Sequence, residues 1–273
     1  MIETAHLFPV LDEKLIELLQ SLSPEDWNKQ TVAKLWTVKD VAAHLLDGNL
    51  RTLSLLRDKH SLVPPTEIRS YHELVDYLNG LNAEWVRASK RLSSHVITKL
   101  LEITGKEYSS YLATLDPNAQ AIFSVAWAGE TASKNWFHVA REYTEKWHHQ
   151  QQIREATGKQ GIMTKELFYP AIDTFMFGLP YTYRNTYAET GSIVQVTIES
   201  EIGGDWFLIR TDNGWELSKK YQPNITSSIS IHPDIAWKLF TRAISSEKAL
   251  SSVAIKGDQT LGAAALTLVA VMA

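Results

Sequence analysis

Trp36-Thr37-Val38-Lys39-Asp40-Val41-Ala42-Ala43-His44-Leu45-Leu46 reads as the opening of an amphipathic helix that carries a histidine at the rim of its apolar face. Thr37 and Asp40 have the spacing of a capping box, in which hydroxyl and carboxylate each accept a hydrogen bond from a backbone N–H that the first turn leaves free. Val38, Val41, Ala42 and Leu45 share one side of that helix, and His44 sits at its margin with Gly48 one turn further on. A histidine there can point along a cleft instead of into a dry core. Taken alone, such a residue is more often packed or hydrogen-bonded than a ligand, so its partners decide its meaning.

Outward from this segment, apolar residues recur at helical spacing up to about residue 160. One helix is expected from Phe8 to about Leu22, with Leu11, Leu15, Leu18 and Leu19 inward. The helix opened by Thr37 continues towards Asp58, and Val63-Pro64-Pro65 breaks the chain. A third helix is expected from about Ser70 into the region of Leu100, carrying Leu74, Leu78, Leu81 and Trp85. A fourth covers roughly Ala132 to Ala156, and Thr157-Gly158-Lys159 ends it. Four long helices predict a bundle.

Beyond Gly161 the pattern changes. Leu167-Phe168-Tyr169-Pro170 through Phe177 reads as a helical connector, after which the period becomes two. Ser192 to Ile198, Trp206 to Arg210, Trp215 to Leu217, Ser228 to Ile231 and Val253 to Ile255 are the expected strands, with Asp212-Asn213-Gly214 as a hairpin turn. Helices are expected at about Pro233 to Ala243 and from Gln259. The chain is therefore expected as an all-α domain over 1–160 followed by a smaller α+β domain over 161–273.

On the fourth helix, Glu145 and His149 are four residues apart and leave the same face. His138, Glu142, Glu145, His149 and Gln152 lie within roughly 40° of one line, while Val139, Ala140, Tyr143 and Trp147 occupy a nearly opposite side. Something must therefore cover both sides of this helix. With His44, the pair Glu145 and His149 makes a two-imidazole, one-carboxylate set suited to a divalent metal with coordination left open. His148 could replace His149 on spacing, but it projects about 100° to the side and reads as the poorer partner. The competing reading of Glu145 and His149 is a surface pair worth a few tenths of a kcal/mol.

Composition narrows the chemistry. The chain has 273 residues, 44% hydrophobic and 21% charged, with a net charge of −4, which gives no electrostatic motive for nucleic acid or an anionic membrane. Small molecules are the expected partners. The N-terminus lacks the basic-then-apolar layout of a secretory signal, so a cytoplasmic location is expected. There is no cysteine, so any metal is held by histidine and carboxylate, and any sulfur chemistry needs a bound thiol.

The segment Trp36 to Leu45 resembles the W-[ST]-V-[RK]-D-x-x-x-H-L signature of the DinB-like metalloprotein superfamily, in particular its mycothiol-dependent maleylpyruvate isomerase branch. Glu145-Lys146-Trp147-His148-His149-Gln150-Gln151-Gln152-Ile153-Arg154-Glu155-Ala156-Thr157-Gly158 resembles that family's E-x-W-x-H-x-x-D-I-R-x-A-x-G segment. The resemblance implies a divalent metal, commonly zinc with nickel or another ion as alternatives, held by His44, Glu145 and His149 at the open end of a four-helix bundle. Asp234 to Arg242, Val253 to Asp258 and Leu261-Gly262 are similar to the smaller domain of that branch, related to sterol carrier type-2 folds. Gln152 departs from the pattern, replacing an outer-shell carboxylate by a neutral amide. Arg242 and Arg154 are the candidates for the arginines that bind substrate in the isomerase.

Such a site favours an incoming anion, and a thiol brought to it loses its proton near neutral pH. The expected activity is isomerisation or conjugation of a small electrophile by a low-molecular-weight thiol. The same ligand set would also suit hydrolysis by a metal hydroxide. A reading from another class is a non-catalytic binder of a small apolar ligand in the α+β half, motivated by Trp206, Phe207, Trp215 and Trp237.

Overall fold

The computed structural model describes residues 1–60 and 67–271. The expected break at Val63-Pro64-Pro65 lies outside the described residues. The helical part contains α1 (Phe8–Gln20), α2 (Val38–Thr52), α3 (Tyr71–Ser89), α4 (Ser94–Ala113) and α5 (Asn135–Thr157). The Thr37 and Asp40 box forms as expected: Thr37 N–H donates to Asp40 Oδ2 at 3.1 Å and Asp40 N–H to Thr37 Oγ1 at 3.4 Å. Past Thr52 the coil widens into a π turn, Leu53–Arg57.

The expected third helix is two helices. Ser93 accepts a hydrogen bond from Val96 N–H and starts α4, which a purely apolar count through Leu92, Val96 and Leu100 misses. Consequently the bundle core comes from α1, α2, α4 and the end of α5. Leu15, Leu18 and Leu19 meet Val38, Val41, Ala42, Leu45 and Leu46, with Ile97, Leu101 and Ile153 closing the cluster. The extra helix α3 packs on α2, where Trp85 Nε1–H donates to the carbonyl of Ala43 at 2.8 Å.

The chain falls into two compact units that do not follow sequence order. Thr4–Asp116 groups with Glu145–Ile162, and Pro117–Thr144 groups with Met163–Val271. The expected boundary at 160 thus lies beside the junction at 162, but a single cut there does not separate the units. The reason is α5, whose first half packs on residues beyond 163: the rings of Trp136 and Phe137 lie 5.5 Å and 5.4 Å from that of Phe177, and Tyr143 OH donates to Leu167 O at 2.8 Å. No helix among the described residues is long and apolar enough to cross a membrane.

The second unit holds α6 (Lys165–Met176), α7 (Leu179–Thr182) and a five-stranded sheet with β1 (Ile193–Ile198), β2 (Gly204–Thr211), β3 (Gly214–Ser218), β4 (Ser227–Ile231) and β5 (Val253–Gly257). Helices α8 (Pro233–Phe240), α9 (Ser246–Leu250) and α10 (Gln259–Ala263) accompany it. The strand order is β3-β2-β1-β4-β5, all neighbours antiparallel except β1 with β4. Alternation sets the buried face: Val194, Val196 and Ile198 of β1 and Ile229 and Ile231 of β4 are all buried. On β2, Trp206 Nε1–H donates to Asp173 Oδ1 at 2.9 Å, and Lys219 Nζ holds the other oxygen at 2.6 Å, so the buried carboxylate is paired.

Candidate metal centre

Helix α5 is covered around most of its circumference. Tyr143, Trp147 and Ile153 are fully buried, but so are Thr144, Lys146, His148, His149, Gln150, Gln151 and Gln152 within a few per cent. Each buried polar group therefore needs a partner. Lys146 Nζ finds Asp12 Oδ1 at 2.8 Å, Tyr143 OH donates to Leu167 O at 2.8 Å, and Trp147 Nε1–H to Ile162 O at 3.3 Å. These bonds fix the helix about its own axis, and so fix where the remaining side chains point.

The polar line of α5 then comes together with α2. His149 Nε2 lies 3.5 Å from Glu145 Oε2, and the His44 ring centroid is 4.6 Å from that of His149, nearly edge-on at 73°. His44, Glu145 and His149, far apart along the polymer, are thus neighbours in space. His148, which the spacing argument disfavours, joins them: its Nε2 is 4.0 Å from Glu145 Oε2, its ring is 4.0 Å from that of His149, and one donor atom from each of Glu145, His148 and His149 fits within 4.8 Å of the others. Three residues turn a helix through about 300°, only about 60° short of a full turn, whereas the 100° offset separates His148 from His149.

Several local contacts set the orientation and charge of this group. The Nδ1 of His149 lies 2.9 Å from Gln152 Oε1, so a proton on Nδ1 has an acceptor there and Nε2 is the nitrogen that faces Glu145. The Nδ1 of His44 is buried and has no protein hydrogen-bond partner among the described residues, an arrangement that costs free energy unless another group satisfies that ring. Burial first, with His149 beside it, pushes the His44 imidazole well below its ordinary range against the opposing pull of Glu145. It is therefore neutral, as a ligand must be. Burial acts to raise the Glu145 carboxyl, but His148, His149 and His44 outweigh it and hold it down at about 2. Glu145 keeps 31% of its side-chain exposure, so the group is reachable from solvent.

The first residue of the signature segment, to which the sequence reading gives no role of its own, also joins the group. Trp36 lies against both imidazoles, with centroids 4.7 Å from His44 and 6.1 Å from His149. Its backbone is pinned before α2 begins, since Trp36 O accepts from Gln30 Nε2 at 2.7 Å, Thr31 Oγ1 at 2.8 Å and Thr31 N–H at 3.1 Å. The two candidate arginines have different local surroundings. Arg154 is buried and gives Nη2 to Lys14 O at 2.9 Å and Nη1 to Gln160 O, holding the end of α5 to α1. Arg242 follows α8 as an exposed residue in the left-handed region, φ 59°.

A family model described as the mycothiol maleylpyruvate isomerase N-terminal domain matches residues 8–154, just over half of the chain. Among solved structures, the chain is similar to a crystal structure of mycothiol-dependent maleylpyruvate isomerase with a TM-score of 0.55 and 9% identity, covering 87% of this chain and 88% of that one. A histidine-to-alanine variant of mycothiol-dependent maleylpyruvate isomerase is similar at a TM-score of 0.56 and 8% identity, with 92% of this chain and 91% of that one covered. At such identity these two describe a shared fold of helical domain plus smaller α+β domain. No curated protein sequence matches.

Proposed function

The chain belongs to the mycothiol maleylpyruvate isomerase N-terminal domain family, and we propose that it is a divalent-metal-dependent enzyme that activates a small-molecule thiol for isomerisation or conjugation of a small electrophile. The observation that carries this reading is the convergence of Glu145 and His149 at 3.5 Å beside the His44 ring. Zinc suits this donor set, since it takes imidazole nitrogen and carboxylate oxygen at about 2.0–2.2 Å. When bound, the ion supplies the positive charge that favours thiolate over thiol near neutral pH.

The chain's own residues do the rest. Ionised Glu145 cancels one unit of charge, and the neutral rings of His44 and His149 cancel none, so a site of about one net positive charge faces an incoming anion. Gln152 holds His149 in the tautomer that offers Nε2. Trp36 lies against the two rings and restricts their motion. Because the chain has no cysteine, the thiol comes from solution. Mycothiol is the first to test, as the dependence named for both similar solved structures.

The test is elemental analysis of protein purified without chelators or metal-affinity steps, followed by turnover with maleylpyruvate and other electrophiles in the presence of several thiols. About one divalent ion per chain and thiol-dependent turnover are expected, with metal affinity lowered and turnover lost in His44→Ala and His149→Ala. A protein that binds no divalent metal, or turnover indifferent to both substitutions, would sink the reading.

A further inference from the structure

We propose that His148 is itself a metal ligand in this chain, so that α5 grips the cation with three side chains, Glu145, His148 and His149, and His44 approaches from α2 as the fourth. This inference rests on the metal reading above and adds to it a residue outside the expected triad.

The geometry begins with the helix. Relative to Glu145, positions three and four residues on are turned by about −60° and +40°, so the two imidazoles flank the carboxylate instead of trailing it. The observed distances follow: Glu145 Oε2 is 4.0 Å from His148 Nε2 and 3.5 Å from His149 Nε2. Ligands about 2.0–2.2 Å from a tetrahedral ion are separated by roughly 3.3–3.6 Å, so the His149 contact already has that separation and the His148 contact is a small side-chain adjustment from it. All three donors fit within 4.8 Å of one another without any contribution from α2.

Burial adds a second argument. The rings of His148 and His149 lie with centroids 4.0 Å apart, and the two residues are 3% and 8% exposed. Two imidazoles turned towards one carboxylate are oriented for a shared positive centre, which replaces the hydration all three lose. The chemical consequence concerns coordination number. Three protein ligands leave a tetrahedral ion one open position, whereas four fill it, so an entering thiol must expand the coordination or displace a ligand. His148 then controls how readily the ion accepts a thiol.

The experiment counts imidazoles. X-ray absorption on the full-length zinc protein is expected to show three imidazole ligands, and His148→Gln two, with affinity for zinc lowered by at least about tenfold in a chelator competition. Cobalt(II) substitution gives an independent reading, because filling or opening a position changes the intensity of the visible spectrum. A wild-type protein with two imidazoles, together with unchanged zinc affinity in His148→Gln while His149→Gln loses it, overturns this proposal and leaves the proposed function standing. A wild-type protein that binds no divalent ion overturns both. The ligand count in the unsubstituted protein decides the matter even if His148→Gln folds poorly.

Discussion

Gln152 Oε1 accepts from His149 Nδ1 at 2.9 Å, and this one bond aims the far nitrogen of the ring at Glu145. A neutral amide thus meets this ring, and it orients the imidazole without adding negative charge. Gln152→Leu is expected to weaken divalent-metal affinity by about 10–100-fold, and Gln152→Asp to retain or tighten it. Chelator competition measures both, and equal affinity in the leucine variant would show that the bond does not orient the ring.

The capping box holds the start of the helix that delivers His44. Thr37→Ala removes the acceptor for Asp40 N–H and should cost about 0.5–2 kcal/mol, read from the urea midpoint at unchanged slope. Thr37→Ser should recover most of it. If alanine and serine variants unfold at the same denaturant concentration as the parent, the cap contributes nothing.

Arg154 is expected to be a structural residue. Both Nη groups serve main-chain carbonyls, at Lys14 and Gln160, so Arg154→Met strips a charged donor from buried acceptors and should destabilise by about 1.5–3 kcal/mol. Gly161→Ala should be destabilising for the same reason, because a Cβ there collides with the guanidinium. Metal affinity of the folded Arg154→Met protein should match the parent. A stable variant with a raised KM would instead assign the guanidinium to substrate.

His138, earlier along α5, gives a pH signature of its own. It is buried, and Arg141 Nη2–H donates to its Nδ1 at 2.7 Å, which requires that nitrogen to be unprotonated. Burial lowers its pKa below the ordinary 6.5, Glu142 opposing and Arg141 adding. The unfolded chain therefore binds this proton before the folded one does. Its contribution to stability is full above pH 6.5 and is lost as the pH falls from there towards the depressed folded value. In a pH series of chemical denaturation, His138→Gln should show a shallower loss below pH 6.5. An unchanged slope would mean that the ring charges freely in the folded state.

Much of this molecule was legible along the chain because its signals are local. Hydrophobic period, the Thr37 and Asp40 box and the Gly158 stop depend on neighbours a few residues away, and they located α1, α2, α5 and the five strands. The family resemblance names His44, Glu145 and His149 together; Glu145 and His149 approach to 3.5 Å and the His44 ring lies 4.6 Å from that of His149, while the donors that fit within 4.8 Å of one another are those of Glu145, His148 and His149. The break between α3 and α4 escaped because one capping serine, Ser93, interrupts an apolar series that otherwise keeps its period. Spacing makes His148 and His149 alternatives, since adjacent residues diverge by about 100°, whereas in the structure their Nε2 atoms lie 4.0 Å and 3.5 Å from the same Glu145 oxygen.

The sequence by itself determined the periods, the caps, the absence of cysteine and the spacing that puts an acid and two imidazoles on one helix, since each is a property of short stretches of chain. Tertiary structure alone decided that β1 lies parallel to β4, that Pro117–Thr144 groups with the α+β unit, that Arg154 is committed to Lys14, and that Trp36 lies on His44 and His149. Those are long-range choices. They turn on which buried polar group finds which partner once most of α5 is covered, and no window of neighbouring residues contains that competition.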